Sequence, residues 1–285
     1  MRFAVVAHRN SPTNDALVAA ARAAGLDANR LAPRDALRTL EPGDVALARL
    51  DVTEELDGIE PGLTELERLV EAGVEVLNPP AALAATHDKL LTARALRHAG
   101  VPHPHSWLVA DGLPAPAPEL PLVLKPRFGS WGRDVRLCRT HDQLEHALAS
   151  AATRGWFREQ GALAQELIPP VGWDIRIVVA GGRVVGSAHR VAAAGEWRTN
   201  AALGATVEPG GAPPLAHRLA LAAAQAVRAD LAGVDLLPTR AGFVALEVNG
   251  AVDFRPLYAP GRDVFSDAIA ALLAAVSSRR TLVAV

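Results

Sequence analysis

The first 80 residues alternate short apolar runs with stretches whose apolar side chains recur at helical spacing. This pattern predicts strands over residues 3–7, 44–48 and 74–77, and helices over residues 15–24 and 63–72. Strands that alternate with helices are typical of parallel βαβ units. The first strand is not followed by G-x-G-x-x-G, so a dinucleotide site of that type is not supported. The pair Pro79-Pro80 after Asn78 predicts the end of this α/β domain.

The rest of the chain is predicted to mix strands and helices, without an internal repeat. A helix is predicted over residues 88–99 and a proline-rich connecting loop over residues 112–121. Strands at 122–125 and 135–137 enclose residues 128–133, which we call the glycine loop. Further strands are predicted at 163–168, 174–180 and 183–190, and a hairpin at 233–237 and 242–249. Helices are predicted at 142–151, 215–229 and 266–276.

Composition narrows the class of protein. With 285 residues, 50% of them hydrophobic, the chain can bury a sizeable core in subdomains that share a cleft. A net charge of −2 argues against nucleic acid as a partner, which normally requires a clustered basic face. No apolar run has the length of a signal peptide or a membrane span, and the lone Cys138 excludes an internal disulfide. We therefore expect a cytoplasmic protein with no membrane partner.

Lysine is nearly absent from the chain. Of 29 basic side chains, 27 are arginine, and the only lysines are Lys89 and Lys125. A chain that uses arginine almost everywhere is expected to keep lysine where a compact ammonium on a flexible stem is needed. The alternative is chance drift in a lysine-poor composition.

The predicted hairpin near the C-terminus carries candidate metal ligands. Side chains alternate faces along a strand, so Glu247 and Asn249 point the same way. If the hairpin pairs, Asp235 on the partner strand can lie near Glu247. Two carboxylates and an amide oxygen are the hard ligands that Mg²⁺ on ATP phosphates requires. The alternative is that these are solvated strand residues.

The glycine loop is a candidate phosphate cover. Lys125 ends the preceding strand, and the loop residues Gly129, Ser130, Trp131 and Gly132 can bring backbone N–H groups over phosphates. Their spacing does not match the P-loop pattern G-x-x-x-x-G-K-[ST], so this would be another type of cover. An ordinary β-hairpin turn is the alternative.

Two further clusters can serve a nucleotide or a substrate. Gln165 and Glu166, followed by Asp174 and Arg176 on one strand face, can receive an adenine amino group and ribose hydroxyls. The alternative is a surface Asp–Arg pair. Three more polar residues can hold a carboxylate and stabilise a transferring phosphoryl group: Arg190, Arg198 and Asn200. The alternative is an arginine stacked on the nearby Trp197.

The order of these short motifs resembles the ATP-grasp superfamily, particularly its ribosomal-protein glutamate ligase branch. The glycine loop and residues 197–200 are most similar to the lysine- and arginine-biosynthesis ligases, which join an amino acid to the C-terminal glutamate of a small carrier protein. The resemblance spans about residue 78 to the C-terminus, and the first domain agrees in layout only. The motifs in chain order are Asp88-Lys89-Leu90, Leu124-Lys125-Pro126, Gln165-Glu166, Gly172-x-Asp174-x-Arg176, Arg190, Arg198-x-Asn200, Gly233-x-Asp235 and Glu247-x-Asn249.

The resemblance implies an α/β N-terminal domain followed by an ATP-grasp fold, in which two α+β subdomains clamp ATP. The implied domains are residues 1–80, a central subdomain over 81–165 with the phosphate-covering loop, and a C-terminal subdomain over 166–285 with the metal site. It also implies a carboxylate–amine ligase that works through an acyl-phosphate, with ATP and Mg²⁺ as cofactors and Mn²⁺ as the alternative ion.

The same resemblance assigns roles to the candidate residues. Lys89 and Lys125 would bind phosphates, Glu166 and Leu167 would receive adenine at the hinge, and Asp174 would lie beside the ribose. Gln165 and Arg176 complete the nucleotide set. Three residues would face the γ-phosphate and the acyl-phosphate: Arg190, Arg198 and Asn200. Three others would hold Mg²⁺: Asp235, Glu247 and Asn249.

Two segments depart from the family pattern, and both would lie beside the acceptor. Residues 201–205 replace a basic, double-glycine stretch, and residues 250–254 match neither branch. The amine would be an amino acid, and the acceptor a glutamate-ended protein or peptide, including a small acidic carrier protein. The alternatives are a dipeptide-type ligase of two free small molecules and a non-catalytic ATP-binding regulatory module. The family suggests a homo-oligomer, either a dimer or a tetramer.

Overall fold

The computed structural model, which describes residues 1–110 and 119–283, begins with a parallel four-stranded sheet. Its strands are β1 (Arg2–Val6), β2 (Asp27–Leu31), β3 (Val45–Ala48) and β4 (Glu75–Leu77), in the order β2-β1-β3-β4. Helices α1 (Pro12–Ala23), α2 (Pro33–Thr39) and α3 (Leu63–Glu71) connect them. Strands β1 and β3 are apolar and almost fully buried, as central strands of a covered parallel sheet must be.

Two short helices leave this first sheet. They are α4 (Pro80–His87) and α5 (Lys89–His98), which contact each other and the last strand of the chain. Helix α4 begins with Pro80 at its first position, where a missing N–H costs nothing. Asp88 separates the helices, and its carboxylate caps α5 by accepting a hydrogen bond from the Leu90 N–H at 2.9 Å.

A small antiparallel sheet follows, with helices on one side. Its strands are β5 (Ser106–Val109), β6 (Leu122–Pro126), β7 (Arg136–Cys138) and β8 (Ala162–Glu166), in the order β5-β8-β6-β7. Helices α6 (His141–Ala152) and α7 (Gly155–Gln160) lie between β7 and β8 in the chain. The glycine loop connects β6 to β7, and both strands belong to this sheet.

The third sheet is antiparallel and five-stranded. Its strands are β9 (Trp173–Ala180), β10 (Arg183–Val191), β11 (Thr206–Pro209), β12 (Leu231–Thr239) and β13 (Gly242–Asn249), in the order β11-β10-β9-β12-β13. Helix α8 (Pro214–Ala226) packs against β12 and β13, and helix α9 (Val264–Val283) packs against β9, β10 and α1. Short 3-10 helices lie at Ala201–Leu203 and Pro256–Tyr258.

The hydrophobic cores join the sheets to one another. One core runs from Phe3 and Leu17 of the first domain to Ile269 and Leu272 of α9. A second lies between α8, α5 and the large sheet, and a third fills the other face of the first sheet. The core of the small sheet includes Leu56, which comes from the first domain. No helix within the described ranges combines the length and the apolar character needed to cross a membrane.

The structure confirms the predicted fold class, and each helix and strand predicted from the sequence has a counterpart. Six elements were missed: β2, α2, α4, β5, α7 and β11. The strand predicted over residues 163–168 ends at Glu166, shortly before Pro169-Pro170, which cannot donate ladder hydrogen bonds. Most of the predicted connecting loop, residues 111–118, lies outside the described residues. The first sheet lies within residues 1–80 and the large sheet within 166–285, whereas β8 of the small sheet ends at Glu166, one residue beyond the predicted range 81–165, and α4 and α5 also pack toward the large sheet. The exact boundaries remain predictions.

Candidate active site

The three sheets surround a cavity of about 600 Å³. The first domain contributes Thr13 from the start of α1 and Asp51 from just after β3. The small sheet contributes Lys125 and Gln165, and the glycine loop closes one side. The large sheet contributes four polar side chains, those of Arg176, Arg190, Glu247 and Asn249. The cavity therefore gathers most of the residues that the sequence motifs singled out.

Lys125 lies on β6 with its side chain buried in the cavity wall. Its Nζ donates a 2.7 Å hydrogen bond to Oε1 of Gln165 on the neighbouring strand β8. Burial lowers the pKa of Lys125 to about 8, and the attraction of Glu247 offsets this only in part. Among the residues that the structure describes, the ammonium has one hydrogen-bond acceptor, so its other N–H groups can donate to an anion in the cavity.

Lys89, the first residue of α5, connects the glycine loop to the large sheet. Its Nζ donates to the carbonyl oxygen of Gly129 at 2.6 Å and lies 2.8 Å from Oε1 of Glu247. The preceding Asp88 fixes this position, because it caps α5 and also pairs with Arg127 next to the loop. One ammonium thus reaches both the phosphate-covering loop and a candidate metal ligand.

The hairpin of β12 and β13 carries the candidate metal ligands. Asp235 and Glu247 are register partners, so the predicted closeness of these two residues is confirmed. Glu247 and Asn249 line the cavity, and the amide nitrogen of Asn249 is buried without a hydrogen-bond partner among the described residues. Burial would raise the pKa of Glu247, but Lys89 outweighs it and lowers this pKa, so the carboxylate is ionised. These donors suit a hard divalent cation.

Asp235 lies behind the cavity wall and is held by two arginines. Arg176 donates to both of its carboxylate oxygens at 2.7 Å, and Nη2 of Arg190 lies 2.8 Å from Oδ2. Burial alone would raise the pKa of Asp235, but the positive charges of Arg176 and Arg190 outweigh burial and lower this pKa below its usual value. The Asp235 carboxylate is therefore ionised. Within residues 1–110 and 119–283, no three His, Cys, Asp or Glu side chains form a metal cluster. The candidate set is two carboxylates and one amide.

Asp174 is the residue predicted to lie beside the ribose. Its side chain is fully buried and does not line the cavity. Both of its oxygens accept hydrogen bonds from Arg190, and Oδ2 also accepts one from the Thr199 hydroxyl. Burial would lower the pKa of Arg190, but Asp235 and Asp174 raise it, so this arginine stays charged. In this structure the carboxylate of Asp174 is paired with Arg190, which lines the cavity, and the role of Asp174 beside the ribose stays a prediction.

The glycine loop packs against the segment that carries Arg198 and Asn200. Nη1 of Arg198 donates to the carbonyl oxygen of Gly132 at 3.0 Å. A Cβ added to Gly132 would lie 3.0 Å from Oδ1 of Asn200, so the Gly132 backbone packs closely against the Asn200 side chain. Arg198, Asn200 and loop residues 129–133 all line the cavity. The predicted partners of the γ-phosphate and the predicted phosphate cover are thus neighbours.

Glu166 and Leu167 lie at the end of β8, where the small sheet passes to the large one. The backbone N–H of Glu166 donates to His105 O at 2.8 Å, and its side chain accepts from His105 N at 3.1 Å. Both residues line the cavity, together with residues 168–173. This is the position of a hinge, and the adenine role remains a prediction.

Several cavity residues were missed by the sequence analysis. Three polar ones come from the first domain and from α4, which were not expected to form the site: Thr13, Asp51 and His87. Arg255 and Tyr258, which follow the last strand, were missed as well. His87 is buried, and its Nε2 has no hydrogen-bond partner among the described residues. Burial lowers the pKa of His87, so the ring is neutral. The sequence feature that could have identified His87 is its position directly before the Asp88-Lys89 motif.

Comparison with known proteins agrees with this geometry. The family model of the RimK-like ATP-grasp domain matches residues 86–270. A probable alpha-L-glutamate ligase of Cellvibrio japonicus (strain Ueda107) is 32% identical over 212 residues, which cover 71% of this chain and 68% of that protein. A probable alpha-L-glutamate ligase of Parasynechococcus marenigrum (strain WH8102) is 30% identical over 187 residues, covering 63% of this chain. That match spans only 39% of the longer protein.

Solved structures share the whole fold at low identity. The D-alanine–D-alanine ligase of Bacillus anthracis superposes with a TM-score of 0.73 at 17% identity, covering 99% of both chains. The ATP-grasp ligase PsnB, complexed with minimal precursor, Mg and ADP, superposes with a TM-score of 0.66 at 18% identity. That superposition covers 96% of this chain and 98% of PsnB. These likenesses concern the fold.

Proposed function

This chain belongs to the RimK-like ATP-grasp family of ATP-dependent carbon–nitrogen ligases, and from this membership we propose that it joins a carboxylate to an amine through an acyl-phosphate. The observation that carries the proposal is the convergence of both lysines, the Glu247–Asn249 pair and Arg190 on one cavity. Each of these groups can bind phosphate, a metal or a carboxylate, and they come from different elements. Their separate sequence motifs thus act as one site.

In the first step, the substrate carboxylate attacks the γ-phosphorus of ATP, and the bond to the bridging oxygen breaks to release ADP. This transfer needs positioning and charge neutralisation more than covalent help from the protein. Lys89 and Lys125 donate to phosphate oxygens, while Arg190 and Arg198 neutralise the charge that moves to the acyl-phosphate. The glycine loop excludes water, which would otherwise hydrolyse that intermediate.

In the second step, the amine attacks the acyl carbon, a tetrahedral intermediate forms, and phosphate leaves as the amide is completed. Asn200 and the arginines beside it stabilise the negative charge on this intermediate. Glu247 and Asn249, with Asp235 behind them, would hold Mg²⁺, which neutralises charge on the ATP phosphates when bound. For the metal to reach Asp235, that carboxylate must exchange one of its arginine contacts.

For the acceptor, we favour a glutamate-ended protein or peptide to which an amino acid is added. The support is that curated relatives are named probable alpha-L-glutamate ligases. The competing acceptor is a free small molecule, since a structural neighbour is a D-alanine–D-alanine ligase. The apolar residues Ala201, Ala202 and Ala251 line the cavity where the family usually carries other residues, so specificity differs at this end.

The test is ADP release from Mg-ATP over pairs of carboxylates and amino acids, with mass spectrometry of the product. Glutamate-ended peptides, free amino acids and dipeptides are compared in the same screen. Amide formation on the peptides supports the favoured acceptor, and formation on free amino acids alone favours the small-molecule ligase. Tight ATP binding without ADP release for any pair would contradict the ligase and favour a regulatory module.

Glu247→Gln tests the metal role within the same assay. The substitution keeps the shape but removes the charge, so turnover is expected to fall by several orders of magnitude at saturating Mg²⁺. Glu208→Gln on β11 is the matched control, because Glu208 is exposed and does not line the cavity. Near-normal turnover of the Glu247 variant would remove the metal assignment.

A further inference from the structure

Glu196 is held next to the cavity by a concentrated set of hydrogen bonds. Its Oε1 accepts from the backbone N–H of Trp197 at 2.9 Å and of Arg198 at 3.0 Å. The guanidinium of Arg198 adds two more bonds, from Nε to Oε1 at 3.0 Å and from Nη2 to Oε2 at 2.8 Å. This bidentate pairing is the strongest arrangement that arginine and a carboxylate can form.

The pairing fixes which end of Arg198 is left for other partners. Because Glu196 takes the Nε and Nη2 edge of the planar guanidinium, Nη1 points away from it. Nη1 donates to the carbonyl oxygen of Gly132 at 3.0 Å. A freely rotating arginine at the cavity edge would lose rotamer entropy each time it made this bond. The Glu196 carboxylate removes part of that cost in advance, together with the Trp197 ring, whose centroid lies 5.7 Å from Cζ of Arg198.

The contact partner, Gly132, is the point of the glycine loop that packs against the segment of residues 196–203. Gly132 has a φ of +73°, and its Cα is packed against Asn200 and Leu203. The loop therefore reaches the 196–203 segment at one specific point, where Arg198 meets it. Glu196 itself does not line the cavity, so it acts only through Arg198.

We propose that Glu196 is a positioning residue that holds Arg198 in the orientation needed to close the glycine loop over bound nucleotide. Arg198 would then contact the loop backbone and also stabilise the negative charge that develops on the transferring phosphoryl group. Closure of the loop and stabilisation of this charge would therefore occur together. The catalytic half of this statement rests on the proposed function, whereas the effect on loop closure requires only that nucleotide binds in the cavity.

Ionisation of Glu196 persists over the whole working pH range. The side-chain hydrogen bonds from Arg198 lower the pKa of Glu196 to about 2, and the two backbone N–H groups contribute. The restraint on Arg198 therefore does not depend on pH under assay conditions. A charge-removing substitution is needed to release it.

The experiment measures hydrogen exchange in the peptide covering residues 128–133, with and without the nonhydrolysable analogue Mg-AMP-PNP. Glu196→Gln, Arg198→Ala, Arg198→Lys and the Glu196→Gln/Arg198→Ala double variant are compared with the unmodified chain. The matched control is Glu65→Gln, which removes a partly buried carboxylate of the first domain that lies 3.7 Å from Arg34 and does not line the cavity. Amide formation is followed in parallel, as kcat and as KM for ATP.

We expect nucleotide to slow exchange in the unmodified chain and in Glu65→Gln. In Glu196→Gln this protection should fall about fivefold or more, and kcat should fall about tenfold with a smaller change in KM. When Glu196→Gln is added to Arg198→Ala, loop protection and kcat should each change by no more than about twofold. The arginine through which Glu196 acts is already absent from that background. Arg198→Lys should resemble Arg198→Ala, since lysine cannot make the bidentate contact.

Full loop protection in Glu196→Gln, or effects that multiply in the double variant, would overturn the proposal. Failure of the ligase assignment gives a different result. If no substrate pair yields amide but exchange follows the expected pattern, the positioning role stands and the catalytic proposal falls. If amide forms normally in Glu196→Gln, the ligase stands and the positioning role falls.

Discussion

At the scale of single residues, the two lysines occupy different environments on the same cavity. Lys125 is almost fully buried and has one hydrogen-bonded partner, Gln165. Lys89 is partly exposed and bridges Gly129 and Glu247. A guanidinium is wider and planar, so arginine would fit neither place in the same way. This explains why two lysines persist in a chain that otherwise uses arginine.

Replacing either lysine with arginine is therefore expected to harm function although the charge is kept. Lys89→Arg should weaken ATP binding or slow phosphoryl transfer about tenfold or more, because a planar guanidinium cannot reproduce the contacts of a compact ammonium. Lys125→Arg should also lower thermal stability, since overpacking a buried site costs about 1–3 kcal/mol. ATP affinity, turnover and melting temperature are the measurements, with Arg240→Lys on the exposed surface as control. Unmodified kinetics in both variants would contradict the phosphate role.

The lowered pKa of Lys125 predicts a pH dependence of nucleotide binding. In the free protein, burial brings this pKa to about 8, so the ammonium loses its proton above that pH. Bound phosphate favours the charged form and raises the pKa in the complex. ATP affinity should thus be full below pH 8 and fall as pH rises, by at most about tenfold per pH unit. Titration calorimetry measures this, and Lys125→Arg, which stays charged, should remove the slope. A flat profile in the unmodified chain would contradict the prediction.

Sequence reasoning found the residues of the site more readily than their pairings. Spacing along β13 correctly brought Glu247 and Asn249 to one face, because strand periodicity is a local property. The burial of Asp174 could not be predicted, since its partners Arg190 and Thr199 are 16 and 25 positions away. Glu196 was overlooked although it directly precedes the motif of residues 197–200, because its pairing with Arg198 is a side-chain geometry that spacing alone does not predict.

At the scale of elements, the glycine loop depends on backbone conformations that few residues adopt. Trp131 and Gly132 have φ values of +61° and +73°, and Asp134 follows with +54°. Only glycine occupies this region without a steric cost. The loop therefore carries strain at Trp131 and Asp134, and Gly132 is the position where a side chain has no room.

Gly132→Ala is expected to impair closure of the loop while leaving the fold intact. The added Cβ would lie 3.0 Å from Oδ1 of Asn200 and Cδ1 of Leu203, and the left-handed backbone costs an L-residue about 1–2 kcal/mol. KM for ATP should rise, or kcat fall, about fivefold to thirtyfold. Kinetics and loop hydrogen exchange are the readouts. Gly155→Ala, where nothing lies within 4 Å of the new Cβ, should match the unmodified chain. Equal kinetics for both variants would show that the close approach has no consequence.

The elements that sequence analysis missed share a physical cause. Strands β2 and β11 each bury little of their surface, so they lack the alternating apolar signal on which prediction relies. Helix α4 was hidden because Pro79-Pro80 indicates a breaker, whereas Pro80 begins the helix. Long, strongly apolar elements such as β9 and α9 were found without difficulty.

At the scale of the whole molecule, Asn78, which directly precedes the predicted boundary at Pro79-Pro80, forms a tightly bonded junction. Asn78 is fully buried and makes four hydrogen bonds to the backbone of Asp230, Leu231 and Gly250. Its amide therefore ties the end of β4 to the large sheet. Together with the core that Phe3 shares with α9, this makes the first domain and the large sheet one structural body. The small sheet, which carries the glycine loop, contacts the first domain through a different segment.

Residues 51–60 form a separate link from the first domain to the small sheet. The segment is closed on itself by a bridge between Val52 and Ile59, and Leu56 at its tip has a φ of +63°. The Leu56 side chain is buried in the core of the small sheet, beside Leu122 and Leu124. A second contact joins the same parts, from Nη1 of Arg133 to the carbonyl oxygen of Glu54 at 3.2 Å. This segment thus restrains the small sheet through contacts separate from the predicted hinge at Glu166.

Leu56→Ala is therefore expected to loosen the small sheet and to weaken nucleotide binding together. Truncating a buried leucine costs about 2–5 kcal/mol of unfolding free energy, and alanine keeps the unfavourable φ, so no strain is relieved. The loss should appear as faster hydrogen exchange in residues 122–138 and as a higher Kd for Mg-AMP-PNP.

Leu215→Ala, at a position that is 46% exposed, is the control and should cost well below about 1 kcal/mol of unfolding free energy. If Leu56→Ala is destabilised but binds nucleotide normally, the link serves stability alone. Because the segment also brings Asp51 to the cavity wall, weaker binding would mean that one loop of the first domain both contributes a cavity residue and restrains the sheet that carries the glycine loop.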